Sequence, residues 1–277
     1  MDHPLKVVLS SIVPLKILGV IPARYASSRF PGKALVSIAG KSMLQHVWER
    51  ASKARYLSSV LIATDDERIR AAAEQFGAKV VMTRADHVSG TDRVAEAASA
   101  TDAPIIVNIQ GDEPLIDPEA IDAAVLALVD DSTGPNGQEN GGHHSAVQAQ
   151  MSTLMKRIDR AEDIADPNVV KVVTDLSGHA LYFSRSPIPF EREPKDGRGT
   201  VRFKHIGLYV YRRKFLLKYS ELPMGPLEQA ERLEQMRALE NGYKIRVVET
   251  EYDSLGVDTP EDWNRVAALF EKPLVAR

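Results

Sequence analysis

Along the first half of the chain, apolar residues come in short unbroken runs, separated by stretches whose apolar positions recur every three to four residues. KILGVI (16–21), SVLIAT (59–64), AKVVMT (78–83) and PIIVNIQ (104–110) are rich in β-branched side chains and apolar on both faces. That is the pattern of parallel strands buried inside a sheet. Between them, residues 42–55, 67–76 and 91–100 carry amphipathic helix periodicity, the second stopped by Gly77, and a further helix is expected to begin near Pro118. Strand, helix and strand in this order build right-handed crossovers, so the pattern predicts an α/β fold with helices on both faces of the sheet.

The second half reads differently. Strands are expected at 146–152, 171–175, 180–184, 203–211 and 244–250, and helices at 226–241 and 260–270. In KHIGLYVYR, period-two alternation puts His205, Gly207 and Tyr209 on one face and Ile206, Leu208 and Val210 on the other. In PLEQAERLEQMRAL, Leu227, Leu233, Met236 and Leu239 form an apolar stripe, leaving Glu228, Glu231, Glu234 and Gln235 on other arcs. The polar, glycine-rich stretch 130–145 is read as a surface loop whose His143 and His144 lack a second ligand pair, and 191–200 as a flexible connector.

Composition narrows the classes. The 277 residues are 44% hydrophobic, enough for a substantial core. A net charge of -3 and a pI near 6.2 give no bulk basic field, which argues against nucleic acid or an anionic membrane surface as partner. The absence of cysteine excludes disulfides, zinc–thiolate sites and cysteine nucleophiles, and suits a reducing cytoplasm. Residues 7–15 are apolar, but Pro14 interrupts them and only Lys6 precedes them against Asp2, so they are read as an extension and not as a targeting segment.

Ligands of open α/β sheets bind beyond the carboxyl ends of the strands, and the residues there are charged. After the first run comes IPARYASSRFPGK, with Arg24, Arg29 and Lys33 around a single glycine. It matches neither G-x-x-x-x-G-K-[ST] nor G-x-G-x-x-G. It is either a solvated turn or a cationic nest for a polyphosphate. In IQGDEP, Asp112 follows the most apolar run and is either a turn aspartate or a magnesium ligand. A second carboxylate is available at Asp258 in GVDTPEDW, although Thr259 as N-cap and Pro260 as first helical residue explain that segment as a helix start. Arg185, His205, Glu234 and Gln235 suit a polyhydroxylated acid, and equally a half-exposed sheet beside a solvated helix.

Taken in order, IPARYASSRFPGK, TRADHVSGTDR, VNIQGDEP, NVVKVVTD, ALYFSRSPIPF, KHIGLYVYR, PLEQAERLEQMRALENGYKI and GVDTPED resemble the 3-deoxy-manno-octulosonate (Kdo) cytidylyltransferases, from about residue 17 to about residue 269. The resemblance implies a Rossmann-like, mixed-sheet nucleotidyltransferase of the sugar-nucleotide type. It further implies one domain (17–277) with a nucleotide-binding half (17–130) and a sugar-binding, dimerising half (146–277), after an extension (1–16). It implies a cytoplasmic homodimer without nucleic acid or membrane insertion, using Mg²⁺ to convert CTP and Kdo into CMP-Kdo and pyrophosphate for lipopolysaccharide assembly. Carried over residue by residue, it places Ala23, Arg24, Arg29, Lys33, Ser89 and Gln110 on the nucleotide, Arg24 and Lys33 acting in catalysis, and Asp112 and Asp258 on the metal. Arg185, His205, Tyr209, Glu234 and Gln235 fall on the sugar. The chain departs from the family pattern at Asp92, where glutamate is usual, in its first sixteen residues, and in the length of the loop after Asp130. No residue presents itself as a dedicated general base.

Overall fold

The computed structural model describes residues 15–26, 30–131, 148–193 and 199–271. Arg29, His143, His144, most of the N-terminal extension and part of the 191–200 connector lie outside the described residues.

The chain begins with strand β1 (Ile17–Ala23) and, after a 3-10 turn at Lys33–Leu35, a two-stranded hairpin of β2 (Ser37–Ile38) and β3 (Lys41–Ser42). Then come α1 (Met43–Ala51), β4 (Ser59–Thr64), α2 (Glu67–Gln75), β5 (Lys79–Met82), α3 (Gly90–Ser99), β6 (Ile105–Asn108) and α4 (Pro118–Asp130). As the unbroken apolar runs require, β1, β4, β5 and β6 pair in parallel. Ser42 caps α1 by accepting from Gln45 N, and Asp66 and Asp117 do the same for α2 and α4.

The second half supplies β7 (Met151–Arg157), α5 (Ala161–Ala165), β8 (Lys171–Thr174), β9 (Ala180–Ser184), β10 (Phe203–Arg212), α6 (Arg213–Tyr219), α7 (Pro226–Glu231), α8 (Met236–Glu240), β11 (Ile245–Glu249) and α9 (Pro260–Glu271). Strands from both halves form one nine-stranded sheet, with a main path β11-β7-β10-β6-β1-β4-β5, β8 pairing with β10, and β9 pairing with β8. β10 runs antiparallel to β6 and β7, which makes the sheet mixed.

Three expectations need correction. The strand expected at 146–152 starts at Met151 and runs to Arg157, because its pairing partners lie there: Met151 beside Ile245 and Arg157 opposite Phe203. The helix expected over 226–241 is broken, since Arg232 adopts φ 52° and separates α7 from α8. Leu227 is accordingly exposed and not part of a continuous apolar stripe, whereas Leu233 and Met236 are buried. Finally, α6 was not expected. Its short sequence RKFLLKY earns helicity by burying Phe215, Leu216 and Tyr219, a tertiary gain that a seven-residue helix needs.

The sheet has a core on each face. α1, α2 and α4 cover one, around Ile21, Leu44, Ile62, Ile121 and Val210; α3, α6 and α8 cover the other, around Val94, Phe183, Tyr211, Phe215 and Met236. A third, small cluster of Ile38, Met43, Val257 and Val266 packs the C-terminal helix against the hairpin and α1. This last contact brings α9 and the segment before it up to the loop after β1.

Candidate active site

Beyond β1 the chain turns so that Gly32 N donates to Tyr25 O at 2.9 Å, with Gly32 at φ 71°, a conformation glycine adopts without steric cost. Lys33 follows at the head of the 3-10 turn. Its Nζ donates to Asp112 Oδ2 at 2.7 Å, Asp258 Oδ1 at 2.9 Å and the Val257 carbonyl at 3.2 Å. The two carboxylates that the sequence could only nominate separately thus meet around one cation. Burial alone would pull the Lys33 pKa down, but the charges and hydrogen bonds of Asp112 and Asp258 outweigh it and hold the ammonium above its ordinary value.

Two devices bring these carboxylates together. A Cβ on Gly111 would sit 2.9 Å from the Pro22 carbonyl oxygen, so only glycine lets the Asp112 turn lie against the end of β1. Val257 N then donates to the Asp112 carbonyl at 2.9 Å, fixing the segment before α9 to that turn. Thr259 caps the helix as expected: its Oγ1 accepts from Asp262 N, and the Asp262 carboxylate accepts from Asp258 N and Thr259 N. Behind the pair, Tyr252 Oη donates to Glu113 Oε2 at 2.8 Å. Burial pushes the Glu113 carboxyl up to about 7, the neighbouring Asp112 charge adding to it and hydrogen bonds from Ser254 and Tyr252 opposing it. The sequence marks Glu113 only as one of the charged residues after the fourth apolar run, and it does not mark Tyr252, 139 positions away, at all.

Pro22, Ala23, Arg24, Lys33, Gln110, Asp112 and Asp258 line a cleft of about 360 Å³. Arg24 reaches the His87 carbonyl at 2.9 Å, which ties the loop after β1 to the loop before α3. Ser89 caps α3 in a reciprocal box with Asp92, the position of the family departure, and points its hydroxyl at Glu234 (3.4 Å); its neighbour Gly90 lines the cleft. Aspartate serves here because the N3 role needs only a carboxylate within reach of the Ser89 backbone, 3.1 Å away. Among the described residues no group of three or more His, Cys, Asp or Glu could hold a metal ion. The donor set does fit Mg²⁺, a hard cation that binds through one or two carboxylates plus substrate phosphates, and the Lys33 ammonium shows that one cation reaches both Asp112 and Asp258.

A second group of candidates gathers over β10 on the face covered by α3. His205 packs against the Phe183 ring edge-on at 5.0 Å and against Tyr209 at 5.5 Å. Burial drives its pKa down to about 3, so the ring is neutral. Tyr209 Oη donates to Gln235 Oε1 at 3.2 Å, and burial, then the Glu234 charge, keep the phenol protonated. Glu234 is also raised by burial, against hydrogen bonding from Thr91 and the charge of Arg237. The left-handed corner at Arg232 turns Glu234 and Gln235 toward β10. Between His205 and Tyr209, a Cβ on Gly207 would meet no atom of the described residues beyond its chain neighbours within 4 Å, so among them open space lies over the strand there.

Arg185 is placed differently from its expected partners. Its guanidinium donates to the carbonyls of Glu231 (2.7 Å) and Pro167 (2.9 Å), and its backbone N–H to the Glu231 carboxylate (2.8 Å). It staples the corner that presents Glu234. Two polar residues of this face escaped the sequence reading: Thr91, in the first turn of α3, and Thr153, on β7. Thr91 was within the quoted SGTDR motif; for Thr153 no pattern marks it.

Known proteins resemble this chain in sequence and in fold. The sequence profile of a family described as cytidylyltransferase matches residues 18–245. A 3-deoxy-manno-octulosonate cytidylyltransferase from Solibacter usitatus (strain Ellin6076) is 65% identical over 263 residues, covering 95% of this chain and 98% of the relative. One from Geobacter sulfurreducens is 53% identical, covering 91% and 98%. A solved structure of CMP:2-keto-3-deoxy-manno-octonic acid synthetase complexed with CTP is 43% identical and superposes with a TM-score of 0.81 over 92% of this chain and 98% of that one. At 18% identity and a TM-score of 0.55, a cytidylyltransferase from Leptospira borgpetersenii shares the fold. The matching family profile, the identity to these relatives and the shared mixed-sheet fold show that the chain belongs to the 3-deoxy-manno-octulosonate cytidylyltransferase family.

Proposed function

We propose that this protein transfers CMP from CTP to Kdo, giving CMP-Kdo and pyrophosphate for lipopolysaccharide assembly. The convergence of Lys33, Asp112 and Asp258 at one end of the cleft carries the reading, because both substrates are anions whose repulsion must be cancelled where they meet. In the reaction the anomeric oxygen of the sugar bonds to the α-phosphorus as the bond to the β-phosphate oxygen breaks, and the hydroxyl proton is lost. Arg24 and Lys33 face the phosphates and stabilise the charge that builds on pyrophosphate. Asp112 and Asp258 would hold magnesium, which when bound supplies charge neutralisation and polarisation of the attacking hydroxyl. Tyr209, Glu234 and Gln235 orient the sugar through hydrogen bonds, and Arg185 sets the corner from which two of them project. No covalent enzyme intermediate is required, so positioning and electrostatics supply the rate.

Cytoplasmic location and a homodimer belong to the same proposal. In support of the dimer, among the described residues β9 pairs along its length with β8 alone and exposes Leu181, while Phe190 beyond it is 88% exposed. Among the described residues no helix is long and apolar enough to cross a membrane. The deciding assay is pyrophosphate release with each of the four nucleoside triphosphates and Kdo, with and without Mg²⁺. Release with Kdo from CTP and from no other triphosphate supports the proposal; equal release from another nucleoside triphosphate, or none from CTP with Kdo, overturns it.

A further inference from the structure

Thr153 is fully buried, and its hydroxyl oxygen has three polar neighbours: the carbonyl oxygens of Leu208 at 2.8 Å and Ile206 at 3.0 Å, and His205 Nε2 at 2.9 Å. They meet where the pairing of β10 with β7 shifts register between Ile206 and Val210, a bulge that brings two carbonyls of one strand to a single side chain of the other. A hydroxyl has one proton to give, and a carbonyl has none. Were that proton given to His205 Nε2, the lone pairs of Thr153 would confront two carbonyl oxygens at hydrogen-bonding distance with no hydrogen between them, an uncompensated buried repulsion. The arrangement with the least uncompensated repulsion sends the hydroxyl proton to one of the carbonyls, leaving a single carbonyl beside an oxygen lone pair instead of two, and has Nε2–H donate to Thr153 Oγ1.

We infer that Thr153 is a positioning residue that fixes His205 as its Nε2–H tautomer, so that Nδ1 is the acceptor the ring offers to a hydroxyl of the acid sugar. The second nitrogen of a neutral imidazole is an acceptor whenever the first is a donor. The consequence is a rule of selectivity. His205 accepts from a hydroxyl beside the open space over Gly207 and does not hold the sugar's carboxylate, which a neutral acceptor nitrogen would repel. The inference rests on the assignment of His205 to the sugar site, and the test separates the two.

Full-length protein carrying ¹⁵N-histidine would be examined by two-bond ¹H–¹⁵N correlation, the His205 signals being assigned by their loss in His205→Ala. The wild type is expected to show the Nε2–H pattern, and saturating Kdo with CTP to shift the Nδ1 resonance. Thr153→Ser should keep the pattern and the wild-type KM for Kdo. Thr153→Val should lose the fixed tautomer and raise the KM for Kdo about tenfold, with the KM for CTP unchanged within about twofold. An Nδ1–H pattern in the wild type, which needs no variant to be read, overturns the inference. So does a Thr153→Val protein with reduced thermal stability but an unchanged KM for Kdo. An unchanged KM for Kdo in His205→Ala is a different failure: it removes His205 from the sugar site.

Discussion

The two ends of the proposed site pose opposite electrostatic problems. At the cleft after β1, Lys33, Asp112 and Asp258 are charged and partly exposed, and they come from segments as far apart as 225 positions. Over β10, by contrast, His205 is neutral, Tyr209 stays protonated and Glu234 is pushed toward its acid form. Triphosphate chemistry needs fixed charge, and a protein can keep charges near water at little cost. Reading a sugar needs hydrogen bonds of defined direction, which are stronger and more selective when water is excluded. Substitutions should therefore divide by substrate: charge changes at the cleft alter catalysis and metal dependence, and shape changes over β10 alter Kdo alone.

The largest effect is expected at Asp112. Asp112→Ala should keep the fold and lose about 3 kcal/mol or more of transition-state stabilisation, read from kcat/KM beside a melting curve. Wild-type turnover at limiting Mg²⁺ would remove Asp112 from the proposed metal site. Glu113 blurs the contrast, being a buried carboxyl behind the charged cluster. Its folded pKa of about 7 lies above the ordinary 4.5, so the folded state holds the proton more tightly. Stability should fall as pH rises from about 4.5 to about 7 and level off above, by an amount on the order of 3 kcal/mol. In Glu113→Gln that fall should vanish; parallel melting curves for variant and wild type across pH 5 to 8 would contradict it.

Gly207→Ala tests the sugar side by shape. A methyl group there meets no described residue beyond its chain neighbours within 4 Å, so Tm should be unaffected, but it enters the open space and should raise the KM for Kdo about tenfold without moving the KM for CTP. A matching loss of CTP affinity would show that the two ends are not separable. The smallest effect is expected at Tyr252→Phe, which deletes the hydrogen bond to Glu113 and should cost about 1 kcal/mol of stability, visible in a denaturant titration. No loss would mean that the Val257–Asp112 bond alone fixes the segment before α9.

Much of the architecture could be read before any coordinates. The four apolar runs became the parallel strands, Gly77 ended α2, and the alternation in KHIGLYVYR placed His205 and Tyr209 opposite Ile206 and Val210. Less legible was the broken helix at Arg232. Its helical periodicity is real, and an αL residue without glycine leaves little sign in the sequence. Arg185 was legible as a residue of the second half, but the partners of its guanidinium are backbone carbonyls, which no side-chain pattern reveals.

Local patterning, then, determined what the chain could decide within a few neighbouring residues: strand and helix periods, caps such as Thr259, and the charged loops beyond the strand ends. Whether Asp112 and Asp258 were turn and cap residues or a pair was decided by tertiary structure, through Gly111 against Pro22 and α9 against the hairpin. The same holds for the proton on His205, set by a buried threonine on another strand. Periodicity records which face a side chain takes along its own element; it holds no record of distances between elements, and the chemistry of this site consists of those distances.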